Sequence, residues 1–124
     1  MEYTDEFDEW WEDLDAKEQA SVRAEVEQLV QFGPFLRFPH CSGIYGSRHG
    51  RMRELRVQHR GRAYRILYAF DPRRIAILLI GGDKTGDDRW YERYIPLADD
   101  LYDQHLREIS RKRHGSSGWR GDGT

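Results

Sequence analysis

Residues 52–68 read MRELRVQHRGRAYRILY, two stretches of alternating apolar and polar side chains about a central Arg60-Gly61. Period-two alternation marks a strand with one buried face, and two such stretches around a short glycine-containing turn form an antiparallel hairpin. A two-residue loop at Arg60-Gly61 sets His59 opposite Arg62. Counting back pairs Val57 with Tyr64, Arg56 with Arg65, Leu55 with Ile66 and Glu54 with Leu67. Leu55, Val57, Tyr64 and Ile66 then share one face, expected to be the core, while Glu54, Arg56 and Arg65 share the other. Two guanidiniums directly opposite one another repel unless a carboxylate or a bound anion lies between them.

Local signals place the rest of the chain around this hairpin. Thr4 caps a short helix over Asp5 to Leu14, with Asp5 and Glu6 in the dipole-favoured first turn and Phe7, Trp10, Trp11 and Leu14 on its apolar side. Asp15 and Glu18 have the spacing of a capping box for a second helix. Its stripe is Val22, Val26, Leu29 and Val30, and Gly33-Pro34 stops it. Residues 35–50, FLRFPHCSGIYGSRHG, read as a loop holding one short strand or turn. Strands are expected at Met52–His59, Ala63–Phe70 and Ile75–Gly82, the last two joined through Asp71-Pro72. Ile75 to Ile80 is apolar throughout, as in a strand covered on both faces. GGDKTGDDRWYERYI is a turn leading into a short helical or irregular piece. A last helix is expected from near Pro96, with Ala98, Leu101, Tyr102, His105, Leu106 and Ile109 as its stripe. The order ααβββα predicts an α+β fold, with two N-terminal helices and a C-terminal helix packed on one face of a small antiparallel meander sheet. A single domain is expected over 1–113, and the polar, glycine-rich residues 114–124 read as a disordered tail.

At 124 residues the chain suits one core. Its longest apolar run, Ile75 to Ile80, falls far short of the ~20 residues of a membrane span. The acidic start MEYTDEFDEW lacks the apolar segment of a signal peptide, and the single Cys41 cannot pair within the chain. A cytoplasmic protein is therefore expected, with no membrane partner. The net charge of −2 conceals a segregation. Residues 1–31 carry eleven acidic and two basic side chains, a balance of −9, whereas residues 32–96 carry thirteen basic and six acidic, a balance of +7. A middle segment this basic can hold a local positive field suited to nucleic acid, phosphate or an acidic protein.

Continuing the count through an Asp71–Arg74 loop puts Ile80 beside Arg65. If the pleat persists past Gly82, Lys84 emerges on the Arg65 face. One carboxylate, two guanidiniums and an ammonium would then converge on the sheet. The plainer alternative is a surface salt-bridge cluster in which Glu54 neutralises Arg56 and Arg65. The five histidines (His40, His49, His59, His105 and His114) show no metal-ligand spacing. His105 lies on the apolar stripe, and His49 in the loop before the first long strand is a weaker catalytic candidate.

The succession MRELR, YRILY, GGDKTGD and RWY before a closing amphipathic helix, opened by TDEFDEWW, resembles the HigB-type toxins of the RelE/ParE superfamily over residues 3–110. That resemblance implies a ribosome-dependent mRNA endonuclease, the toxin of a type II toxin–antitoxin pair, made with a helix-turn-helix, HigA-like antitoxin. It implies no metal and no cofactor, with a 2′-hydroxyl attacking the adjacent phosphate. By the same resemblance Glu54 would be the base, Arg56 and Arg65 the phosphate clamp, and Lys84 the charge neutraliser or proton donor. Arg53 and Tyr91 would contact the RNA backbone and stack on a base. Many relatives place a histidine or another aromatic near the C-terminal end as the acid, where this chain has only RWY.

Two other functions remain open at this stage. A ParE-like toxin shares the fold and attacks gyrase, but would not need a carboxylate among the cations. A non-catalytic RNA-binding module would keep the basic face and be indifferent to Glu54→Gln. The acidic helices, repelled by rRNA, are expected to face away from it and to be free for the antitoxin.

Overall fold

Both expected helix starts are present in the computed structural model, which describes residues 1–123 in backbone and 1–112 in side chains. Thr4 Oγ accepts from the Phe7 N–H to cap α1 (Asp5–Glu12). Asp15 and Glu18 form the reciprocal capping box of α2 (Ala16–Phe32), which Gly33 ends. The tail expected at 114–124 lies outside the residues whose side chains are described.

The strands are β1 (Glu2–Tyr3), β2 (Cys41–Gly43), β3 (Arg53–His59), β4 (Arg62–Phe70) and β5 (Ala76–Asp83), followed by α3 (Trp90–Gly123). They form one sheet in the order β1-β5-β4-β3-β2. The hairpin register is the one the turn chemistry predicts, with His59 paired to Arg62 and Arg56 to Arg65. Arg60 and Gly61 both take positive φ, 51° and 80°, the two-residue turn whose twist matches its strands.

Four expectations need correction. The fold is α+β and β3, β4 and β5 form the expected antiparallel meander, but two strands extend it: β1 adds to β5 in parallel and β2 pairs with β3. Helices cover both faces rather than one. Phe7, Val22 and Leu29 pack with Leu55, Val57, Tyr64 and Ile66 beneath α1 and α2. Trp90, Ile95, Ala98 and Tyr102 of α3 pack with Leu67, Ala69, Ile77 and Leu79 on the opposite face. The last helix begins at Trp90, a turn and a half before Pro96, which lies inside it. Val30, finally, is exposed, because the stripe needed to reach the sheet ends at Leu29.

The β4–β5 register also differs from the simple count. Phe70 pairs with Ala76, because Ile75 belongs to the turn, and an irregularity follows between Leu67 and Tyr68. These two one-residue offsets bring Gly82, not Ile80, beside Arg65, while Ile80 pairs with Leu67. The offset of two preserves facing, so Lys84 still follows the sheet end next to Arg65. Consecutive glycines are required there. A Cβ on Gly81 would stand 2.3 Å from the Trp10 ring, and one on Gly82 would stand 2.7 Å from Trp90 Nε1. One indole presses on each face of β5 at this point.

Candidate active site

Glu54, Arg56 and Arg65 meet on the α3 face of the sheet, beyond the end of its apolar layer. Arg56 and Arg65 are cross-strand neighbours, and Glu54 lies beside both. Arg56 approaches one Glu54 oxygen at 3.6 Å and Arg65 Nε the other at 3.4 Å. The cluster is not laid out on open surface as the alternation suggests. Glu54 is 5% exposed and Arg65 only 3%. The cause is that the residue opposite Arg65 is Gly82, whose bare backbone admits the Trp90 indole.

The hydrogen bonds to Glu54 come from two hydroxyls instead, each 2.5 Å long: Ser42 Oγ donates to Oε2 and Tyr91 Oη donates to Oε1. Ser42 is carried by β2 directly opposite Glu54, and Tyr91 by the first turn of α3. Burial and the neighbouring carboxylate push the Tyr91 phenol up to about 12, which keeps its proton in place at neutral pH. Lys84 Nζ stands 5.9 Å from the centre of the Tyr91 ring, so it belongs to the same group. A cleft of about 350 Å³ opens on Glu54 and Tyr91, with Gly43, Ile44 and Tyr45 as its other walls.

The arginines retain unused donors. Arg65 donates from one terminal nitrogen to its neighbour's carbonyl, Tyr64 O, at 2.8 Å. Its buried Nε makes no hydrogen bond, the approach to Glu54 being too long and poorly aligned. Arg56, 27% side-chain exposed, lies over the Phe38 ring at 5.0 Å. A guanidinium with an idle buried donor beside a solvent-accessible partner is a natural receiver for a phosphate oxygen.

Of the residues named from sequence, Glu54, Arg56, Arg65, Lys84 and Tyr91 are thus brought together, and Arg53 is not. Arg53 has the parity of Leu55 and turns to the α1–α2 side, where its guanidinium reaches Cys41 Sγ at 3.5 Å. Ser42 was missed, since three residues, CSG, carry no periodic signal for a strand. The described histidines serve elsewhere: His40 pairs with Glu25, His49 with Asp103, His59 with Ser21 and His105 with Asp71. His49 is therefore held on the far part of α3 and does not reach Glu54.

Glu2, Asp71 and His105 could together offer three ligand atoms to a cation. Arg73 already fills that space, donating to both Glu2 Oε1 at 2.8 Å and Asp71 Oδ2 at 2.7 Å. The group is an ion-pair knot that ties the β4–β5 turn to β1 and α3.

Residues 9–103 match the family described as "Phage derived protein Gp49-like (DUF891)". A Mycobacterium tuberculosis protein named "Putative toxin HigB2" is 41% identical over 102 residues, 81% of this chain and 51% of its own length. Another from the same organism, "Putative toxin HigB3", is 44% identical over 91 residues, 73% of this chain and 78% of its own. The chain thus spans about half the length of the first of these relatives. No solved structure matches it. Among the described residues, no helix is long and apolar enough to cross a membrane.

Proposed function

We propose, for a chain that belongs to the Gp49-like family as a HigB-type toxin, that it is a ribosome-dependent mRNA endonuclease whose chemistry runs at Glu54, Arg56 and Arg65. The observation that carries this reading is the unused hydrogen-bonding capacity of Arg65 next to a carboxylate held by two hydroxyls. A structural ion pair would spend those donors on its own acid.

Glu54 takes the proton of a nucleotide 2′-hydroxyl, and that oxygen forms a bond to the adjacent phosphorus. Arg56 and Arg65 hold the non-bridging oxygens as charge grows on the phosphorane. The bond to the 5′-oxygen breaks, and that oxygen gains a proton, leaving a 2′,3′-cyclic phosphate and a free 5′-hydroxyl. Tyr91 and Lys84 are the proton-bearing groups beside the carboxylate, and they serve this last transfer. To act, Glu54 exchanges one of its hydroxyl hydrogen bonds for the substrate's.

Glu54→Gln is the decisive variant, because it keeps the size of the side chain and an acceptor for the Ser42 or Tyr91 hydroxyl. Cleavage of ribosome-bound mRNA should fall by ~10²–10⁴ while thermal unfolding is little changed. Wild-type cleavage by a folded Glu54→Gln protein would remove Glu54 from the mechanism.

The partner in this reading is a helix-turn-helix antitoxin that docks on the acidic α1–α2 layer, whose residues 1–31 carry −9. That layer lies on the sheet face opposite Glu54, so docking there blocks the ribosome without covering the site. Hydrogen exchange on the complex should show protection over 5–31. Protection confined to 52–68 and 82–91 would mean direct masking instead.

A further inference from the structure

Two of the most exposed aromatic rings on the molecule lie beside the Glu54 cluster, and none of the proposed chemistry uses them. Tyr45 is 96% exposed and Phe38 70%. They flank β2, the outer strand of the sheet, which carries Ser42 against Glu54 between them. Tyr45 walls the cleft that opens on Glu54 and Tyr91. Phe38, four residues before Ser42, lies under the Arg56 guanidinium at 5.0 Å. Neither ring helps close a core, so burial does not account for them.

Their surroundings are cationic. Arg37, Arg51 and Arg56 supply the charge, whereas Arg48 is paired with Asp100 and Asp103 and Arg53 turns to the α1–α2 side. Arg37 and Arg51 are exposed near the two ends of β2. Exposed rings interleaved with arginines along one edge are the recognition elements of unpaired nucleic acid, in which bases stack on aromatic faces and the backbone follows the charge. An acidic protein helix would be drawn by the arginines but has no use for two exposed flat rings, one of them beneath Arg56, on either side of a carboxylate.

We propose that Phe38 and Tyr45 are base-stacking residues that receive the nucleotides on either side of the scissile phosphate. A single-stranded RNA then runs along the β2 edge with its phosphate at Arg56 and Arg65. The inference takes its substrate class from the nuclease reading above, but it concerns binding rather than cleavage.

The test uses a short single-stranded RNA with 2′-O-methyl groups, which binds without being cut, and the same oligonucleotide made abasic. Tyr45→Leu and Phe38→Leu should each weaken binding to the base-bearing RNA about tenfold and leave binding to the abasic strand unchanged. Tyr45→Phe and Phe38→Tyr, which retain a ring, should restore the affinity. Equal losses on both strands, or no loss on either, would overturn the stacking role. So would leucine variants that bind RNA normally but escape a co-expressed antitoxin, since the rings would then belong to the protein interface. If the wild-type chain shows the ring-dependent affinity yet cleaves no ribosome-bound mRNA, the nuclease reading fails and the stacking inference stands. If Glu54-dependent cleavage is present and the leucine variants are indifferent, the stacking inference fails alone.

Discussion

Glu54 and Asp71 are both buried carboxylates with arginine neighbours, yet they are built in opposite ways. Asp71 is saturated. It accepts from Arg73 Nε at 3.1 Å, from an Arg73 terminal nitrogen at 2.7 Å and from His105 Nε2 at 2.9 Å. The backbone N–H groups of Arg73 and Ile75 also donate to it. Glu54 has two hydroxyl donors and keeps its arginines at 3.4 and 3.6 Å. A carboxylate that fastens a fold consumes the donors around it. One that leaves guanidinium capacity idle in a cleft has arranged its neighbours for something else. The difference separates a structural knot from a candidate site without reference to any relative.

Glu54 lies on the sheet and Asp71 in the turn at the end of β4, so the largest effect should come from the core beneath that sheet. Ile66 and Leu67 are adjacent on β4, face opposite ways and are fully buried. Alanine at either should cost ~2–5 kcal/mol of unfolding free energy in denaturant titrations. A large loss at Ile66 with none at Leu67 would show that α3 does not close its face, and would leave the setting of Glu54 and Tyr91 unsupported.

A smaller effect distinguishes the two acids themselves. Burial pushes the Asp71 carboxyl up, but hydrogen bonds from Arg73, His105 and the backbone outweigh it and hold the group at about 2, below its ordinary 3.8. A depressed folded value means that Asp71 adds stability above pH ~4 and loses it as pH falls toward 2. Asp71→Asn should therefore lower stability at neutral pH by about 1–3 kcal/mol and flatten the acid limb between those values, with cleavage unchanged. Urea unfolding measured across pH 2–7 reads both quantities. Should Asp71→Asn abolish cleavage in a protein that remains folded, the contrast between knot and site would collapse.

How much of this was legible beforehand depends on the range of the physics involved. The helix caps at Thr4 and Asp15 and the β3–β4 register are short-range. A capping side chain needs a partner three residues away, and a two-residue turn leaves a hairpin one way to pair. Sequence periodicity was thus sufficient to put Glu54, Arg56 and Arg65 on one face and Leu55, Val57, Tyr64 and Ile66 on the other. It also contained the parity that sends Arg53 to the core side.

The chain alone did not determine what lies across space from that face. Ser42 reaches Glu54 through a three-residue strand too short to show a period. The partner of Arg65 is Gly82 because a turn residue and a bulge shift β5 by two, and neither leaves a compositional mark. Trp90 buries Arg65, and Tyr91 caps Glu54, only because α3 starts early and crosses the face opposite α1 and α2. Periodicity tells a side chain which way to point. Only the packed helix and the neighbouring strands decide whether it points into water or into a closed polar pocket.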